Sequence, residues 1–97
     1  MKIWVDDLRT PPDTTWYWAK NSEQAIGILE VIQKTEVANN IDMMVELSLD
    51  HDLGGDDTTR PVVIWLIENN YYPKVNVHTS NPVGREWLEG MIERYLI

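Results

Sequence analysis

Cysteine is absent from these 97 residues, so disulfide bridges and thiolate zinc sites are both excluded. Positive charge is scarce: 8 Lys and Arg stand against 16 Asp and Glu, a formal net charge of -8. Sequence-independent nucleic-acid binding relies on Lys and Arg neutralising phosphates, so broad binding of that kind is not expected. No apolar run approaches the roughly 20 residues of a membrane helix, and the N-terminus lacks the pattern of a signal peptide. A soluble, cytoplasmic protein with no membrane partner is the expectation. Repeats, low-complexity tracts and linkers are missing too. What is present is a hydrophobic fraction of 43% with five tryptophans, enough for a packed core rather than disorder. At this length the core serves one domain, residues 1–97.

The acids are not scattered. Asp6-Asp7 closes the run Lys2-Ile3-Trp4-Val5, and Asp50-His51-Asp52 closes Met44-Val45-Glu46-Leu47-Ser48-Leu49. Both runs are rich in β-formers and stop where the acids begin, as buried strands do on entering loops. In an open parallel sheet the C-terminal strand ends share one edge, where ligands bind. Carboxylates crowded there repel one another unless a cation or proton shares the site. A hard ion such as Mg2+ or Mn2+ takes oxygen ligands. An acidic chain can then receive a small anion, because the ion reverses the local field. These residues point to a metal-assisted phosphate site.

The rest of the chain alternates strands and helices. Leu8 to Thr15 is a loop by its two prolines, and Trp16-Tyr17-Trp18-Ala19 a short aromatic strand. Asn21, three residues before Gln24, predicts an N-cap with a capping-box partner. The helix it opens carries Ala25, Ile26, Ile28, Leu29 and Ile32 on one face, and the polar stretch Lys34 to Asp42 ends it. Gly54-Gly55-Asp56-Asp57 is a loop. Thr59 or Arg60 caps a second helix, with Pro61 in its first turn and an end near Asn70. Lys74 to His78 alternates apolar and polar residues, which predicts an edge strand; a homodimer through this edge or its helices is one expectation. Asn81-Pro82 opens the last helix, running toward Ile97, with Val83, Trp87, Leu88, Met91, Ile92 and Tyr95 as its buried stripe. The order β-β-α-β-α-β-α predicts a small three-layer α/β unit.

These residues resemble the receiver domain of bacterial response regulators. The resemblance implies an acidic pair at Asp6-Asp7, a phosphoacceptor position at Asp50, a backbone carbonyl ligand from Asp52 and a strand-ending hydroxyl at Thr79. It departs in two ways. The Pro-Pro loop stands where receivers have their first helix, and these residues include no fifth strand with the lysine that contacts the phosphoryl group; Lys74 begins its strand, at the wrong end to substitute. Ordinary phosphorelay signalling is not expected. The strings Trp4-Val5-Asp6-Asp7-Leu8-Arg9, Ser48-Leu49-Asp50-His51-Asp52-Leu53-Gly54 and Val77-His78-Thr79-Ser80-Asn81-Pro82-Val83-Gly84-Arg85 are similar to a minimal relative, the cyclic-phosphate processing receiver domain. That likeness implies a truncated flavodoxin-like fold with four parallel strands in order 2-1-3-4 and three helices. Thr58-Thr59-Arg60-Pro61 departs from the Thr-Gly-aromatic step expected before the middle helix.

The candidate site follows. Asp6, Asp7, Asp50 and Asp52 are the expected metal set, Asp7 and Asp50 through their side chains, Asp6 through water and Asp52 through its carbonyl. Thr79, Arg9 and Arg85, with the amides after Asn81, are candidates for holding phosphate; an N-terminal turn receives anions and Arg forks match phosphate oxygens. The plainer roles are N-capping for Asn81 and structural bridges for the arginines. His51 and His78 are candidates for base and acid in opening a cyclic phosphodiester, with Asp50 also counted among the catalytic candidates; the plainer roles are a surface histidine and a half-buried one. Trp16 and Trp18 are assigned to core packing rather than base stacking. Three functions compete: a metal-assisted cyclic phosphodiesterase acting on a small phosphate ligand such as a cyclic nucleotide; a non-catalytic sensor or sequestering module; and a degenerate receiver used for protein interaction.

Overall fold

A computed structural model describes residues 1–96; Ile97, the expected end of the last helix, lies outside the described residues. The strands are β1 (Lys2–Val5), β2 (Trp16–Ala19), β3 (Glu46–Leu49) and β4 (Lys74–Val77), and the helices α1 (Ser22–Asn39), α2 (Arg60–Glu68) and α3 (Pro82–Tyr95). All pairings are parallel, in the order β2-β1-β3-β4. The expected α/β receiver-like, flavodoxin-type topology is what forms.

The third layer differs from expectation. Steps β2 to β3 and β3 to β4 move the same way across the sheet, and right-handed crossovers then put every helix on one face. Accordingly α1 packs on α2 and α2 on α3. Ile3, Val5, Leu47 and Leu49 point into that helical side and, with Leu29, Val62, Val63, Leu66 and Leu88, form the core. The alternate residues Trp4, Ser48 and Asn76 lie in register on the opposite face, which has a loop over it instead of helices: the Trp4 indole N–H donates to the Arg9 carbonyl at 2.8 Å. Trp16 sits edge-on to Trp4 at 5.7 Å, and Trp18 donates to the Asp6 carbonyl at 2.7 Å. Trp16 and Trp18 therefore stay outside the core they were expected to join.

Several boundaries shift for local reasons. Asn21 caps α1 by accepting from the Gln24 N–H at 2.8 Å, but the Gln24 side chain takes the N–H of Lys20 instead of closing the box on Asn21. Helix α1 runs through most of the polar stretch to Asn39 and stops at Asn40, whose φ of 52° is left-handed. Strand β3 starts at Glu46 rather than Met44, whose φ of 51° breaks the extended chain. On α3, Leu88 is buried but Val83 and Tyr95 are 70% and 46% exposed. A stripe read from a 3.6-residue period assumes cover on both flanks, and α3 ends the helical layer with a neighbour on one flank only.

Candidate metal centre

Strand β1 ends because the Asp6 carboxylate recaptures its own backbone. Its Oδ1 accepts the N–H groups of Leu8 and Arg9, both at 2.9 Å, an Asx-type turn that bends the chain out of the sheet. Its Oδ2 accepts from His78 Nε2 at 3.0 Å. Asp6 is 1% exposed. Burial pushes its carboxyl pKa up, but the donors from Leu8, Arg9 and His78 outweigh burial and hold it below the ordinary value. A buried, ionised carboxylate results.

Asp50 reaches the same edge one strand away, its N–H bonded to the Val5 carbonyl at 2.9 Å. The His51 N–H donates to its Oδ1 at 2.8 Å, and the hydroxyl of fully buried Thr59 donates to its carbonyl at 2.6 Å. Asp6, Asp7 and Asp50 each offer an oxygen within 4.8 Å of the others. An all-oxygen donor set at that spacing fits a hard divalent cation. Lone-pair accounting refines it: Asp6 Oδ1 already accepts two bonds and Oδ2 one, so a single Oδ2 lone pair remains for a cation or its water.

The expected site residues divide into two groups. Asp6, Asp7, Asp50, Asp52, Arg9 and Thr79 line one cleft of about 420 Å³ at the sheet edge, together with Leu8, Gly54 and Ser80. Arg9 is braced there by the His78 carbonyl at 3.0 Å. Asp52 turns its carboxylate aside, to Asn81 at 2.9 Å and His51 at 3.1 Å; these two bonds and the nearby charge of Arg60 hold its pKa low. Among the described residues no lysine lines the cleft.

Asn81, Arg85, His51 and His78 stand outside that lining. Asn81 spends its carbonyl oxygen on the Gly84 N–H and its amide on Asp52. Arg85 holds the Thr79 carbonyl at 3.0 Å and Glu89 at 2.8 Å. His51 is buried at 5% exposure rather than lying at the surface. Arg60 Nε donates to its Nε2 at 2.9 Å, which leaves Nδ1 to carry the proton toward Asp52. His78 has both nitrogens engaged, Nε2 with Asp6 and Nδ1 with Ser48 at 2.7 Å. Neither imidazole has a free nitrogen facing the cleft.

Residues 1–94 match the family described as Cyclic-phosphate processing Receiver domain. The chain belongs to that family. No match is found among curated proteins or among solved structures. In this receiver the acidic pair and the Asp50 position meet at one edge, as the resemblance implied. Four residues that hold the receiver site together escaped sequence reasoning: Ser48, Gly54, Thr59 and Gly84. Gly54 has a φ of +85°, and a Cβ there would lie 3.1 Å from Asp7 Oδ2. A Cβ on Gly84 would lie 2.3 Å from His51 Cγ, so the first turn of α3 sits directly on the imidazole. Ser48 gave the clearest signal, a lone hydroxyl between Leu47 and Leu49 in a buried strand.

Proposed function

We propose that Asp6, Asp7 and Asp50 bind a divalent cation, Mg2+ or Mn2+, and that the cleft uses it to recognise and open a small cyclic phosphate such as a cyclic nucleotide. The observation that carries this reading is the convergence of three carboxylate oxygens within 4.8 Å, one of them on a residue 1% exposed. Burying an ionised group of that kind is costly unless a countercharge or donors offset it. When bound, the cation would polarise phosphoryl oxygens and lower the pKa of bound water. The chain's own part is to aim the carboxylates and to offer Arg9 and the Thr79–Ser80 turn toward the phosphate. The cleft volume of about 420 Å³ lies within the range of small-ligand sites.

A second reading, binding without turnover, is favoured by one observation: both histidines are saturated with internal hydrogen bonds. A proton-transfer role for either would require breaking one of those bonds. Thermal-shift screening of cyclic and linear nucleotides with and without Mg2+ identifies the ligand class. Product analysis on the best ligand then separates the two readings. Ring opening supports the phosphodiesterase, tight binding with no product supports the sensor, and no cation-dependent shift with any ligand contradicts both.

A further inference from the structure

On the sheet face away from the helices, a hydrogen-bonded chain runs from Ser48 through His78 to Asp6. The Ser48 Oγ to His78 Nδ1 distance is 2.7 Å, and His78 Nε2 to Asp6 Oδ2 is 3.0 Å. Its two ends are buried and its middle is partly so: Ser48 is 5% exposed, and the side chains of His78 and Asp6 are 15% and 1% exposed. The Trp4 ring stacks on the imidazole, centroids 3.7 Å apart and planes within 7°. The ring is further fixed through its backbone, since the His78 N–H donates to the Leu49 carbonyl at 2.9 Å and its carbonyl accepts from Arg9 at 3.0 Å.

The proton positions in this chain follow from donor and acceptor counting. Asp6 already accepts two backbone N–H bonds at Oδ1, which favours the ionised, acceptor-only carboxylate. His78 must then present Nε2–H to Oδ2. In a neutral ring Nδ1 becomes the acceptor, and the Ser48 hydroxyl is the group placed to donate to it. The Leu8 and Arg9 amides fix one end of the Asp6 carboxylate, and His78 fixes the twist of the other end. Together they leave one Oδ2 lone pair, on a carboxylate that shares its cluster with Asp7 and Asp50.

We infer that Ser48 and His78 are positioning residues for the cation site: Asp6 fixes the Nε2–H tautomer of His78, Ser48 holds that ring in place by donating to Nδ1, and His78 sets the orientation of the Asp6 carboxylate. This rests on the proposed cation site, and it gives His78 a function other than acid or base. Partners that orient a ligand from behind commonly contribute about 10–100-fold to metal affinity.

Two measurements test it. Nitrogen-15 NMR of the wild-type chain should find the Nε2–H tautomer at His78, with the preference weakened in Ser48→Ala; an Nδ1–H tautomer in the wild type overturns the inference without any variant. Calorimetry with Mg2+ should show affinity lower by about 10–100-fold in His78→Ala, with most of it recovered in His78→Gln, which can still present an N–H to Asp6. Circular dichroism verifies that each variant is folded at the temperature used. Wild-type binding that His78→Ala leaves unchanged, or that Ala and Gln weaken equally, overturns the positioning role while the cation site stands. Absence of Mg2+ binding by the wild type contradicts the cation site itself.

Discussion

Asp6 and His78 share one hydrogen bond, yet their environments bias both toward a neutral ring beside an ionised acid. Burial is the main influence lowering the His78 pKa; the Asp6 bond and charge work against it and only partly offset it. A histidine whose folded pKa lies below its unfolded value contributes fully above about pH 6.5 and loses that contribution as pH falls toward the folded value. For Asp6, also depressed, the contribution is intact above about pH 4 and is lost as pH falls through its folded pKa. Relief of repulsion in a chain of net charge -8 acts the opposite way on acidification, so a local probe is needed. The His78 ring proton should titrate in NMR with a midpoint below about 6.5; a midpoint at or above that contradicts the burial argument. Gly54 offers a second residue-scale test. Its left-handed backbone and the 3.1 Å approach to Asp7 mean that Gly54→Ala should cost about 1–2 kcal/mol, a melting temperature lower by roughly 5–15 °C, and should weaken Mg2+ binding. Unchanged Mg2+ affinity would show that the Asp7 carboxylate needs no such gap.

At the scale of elements, the contact between α3 and His51 decides how the β4–α3 loop is set. A methyl on Gly84 would overlap the imidazole at 2.3 Å, and overpacking of this kind costs about 1–3 kcal/mol or more. Gly84→Ala should therefore lower the denaturant midpoint strongly in the wild-type background and less in His51→Ala, where the ring is gone. Strictly additive losses would mean the glycine serves something other than this contact. The same contact shows where sequence reading stops. Strand and helix order and the acidic edge were legible, because period-2 and period-3.6 patterns and strand-ending acids are local signals; the parallel order of the strands came from the family resemblance. The burial of His51 was not, since alternation in an extended chain says only that it points away from Asp50, not that α3 will descend on that side. Val83 and Tyr95 failed as core residues for a related reason: a helix's own sequence does not reveal that its outer flank has no neighbour. The roles of Asn81 and Arg85 turned on which partners lay nearby, Asp52 and the Thr79 carbonyl, and these are tertiary facts.

At the scale of the whole fold, the described residues form a receiver with one helical layer, an acidic edge whose carboxylates follow β1 and β3, and an opposite sheet face from which His78 bonds one of those acids. Among the described residues no lysine lines the cleft, so an acyl phosphate on Asp50 would lack the contact that steadies it in signalling receivers. Incubating the 97-residue chain with acetyl phosphate should give no stable phosphoaspartate; a mass increase of one phosphate that Asp50→Asn removes would restore the signalling reading. The measurement that bears most directly on the account is isothermal calorimetry of Mg2+ and Mn2+ with the wild type, Asp7→Asn and Asp50→Asn. A cation held by these carboxylates requires saturable single-site binding by the wild type, a matching rise in melting temperature, and loss of most of both in each variant. No saturable binding at millimolar metal, or variants that bind as tightly as the wild type, would contradict it.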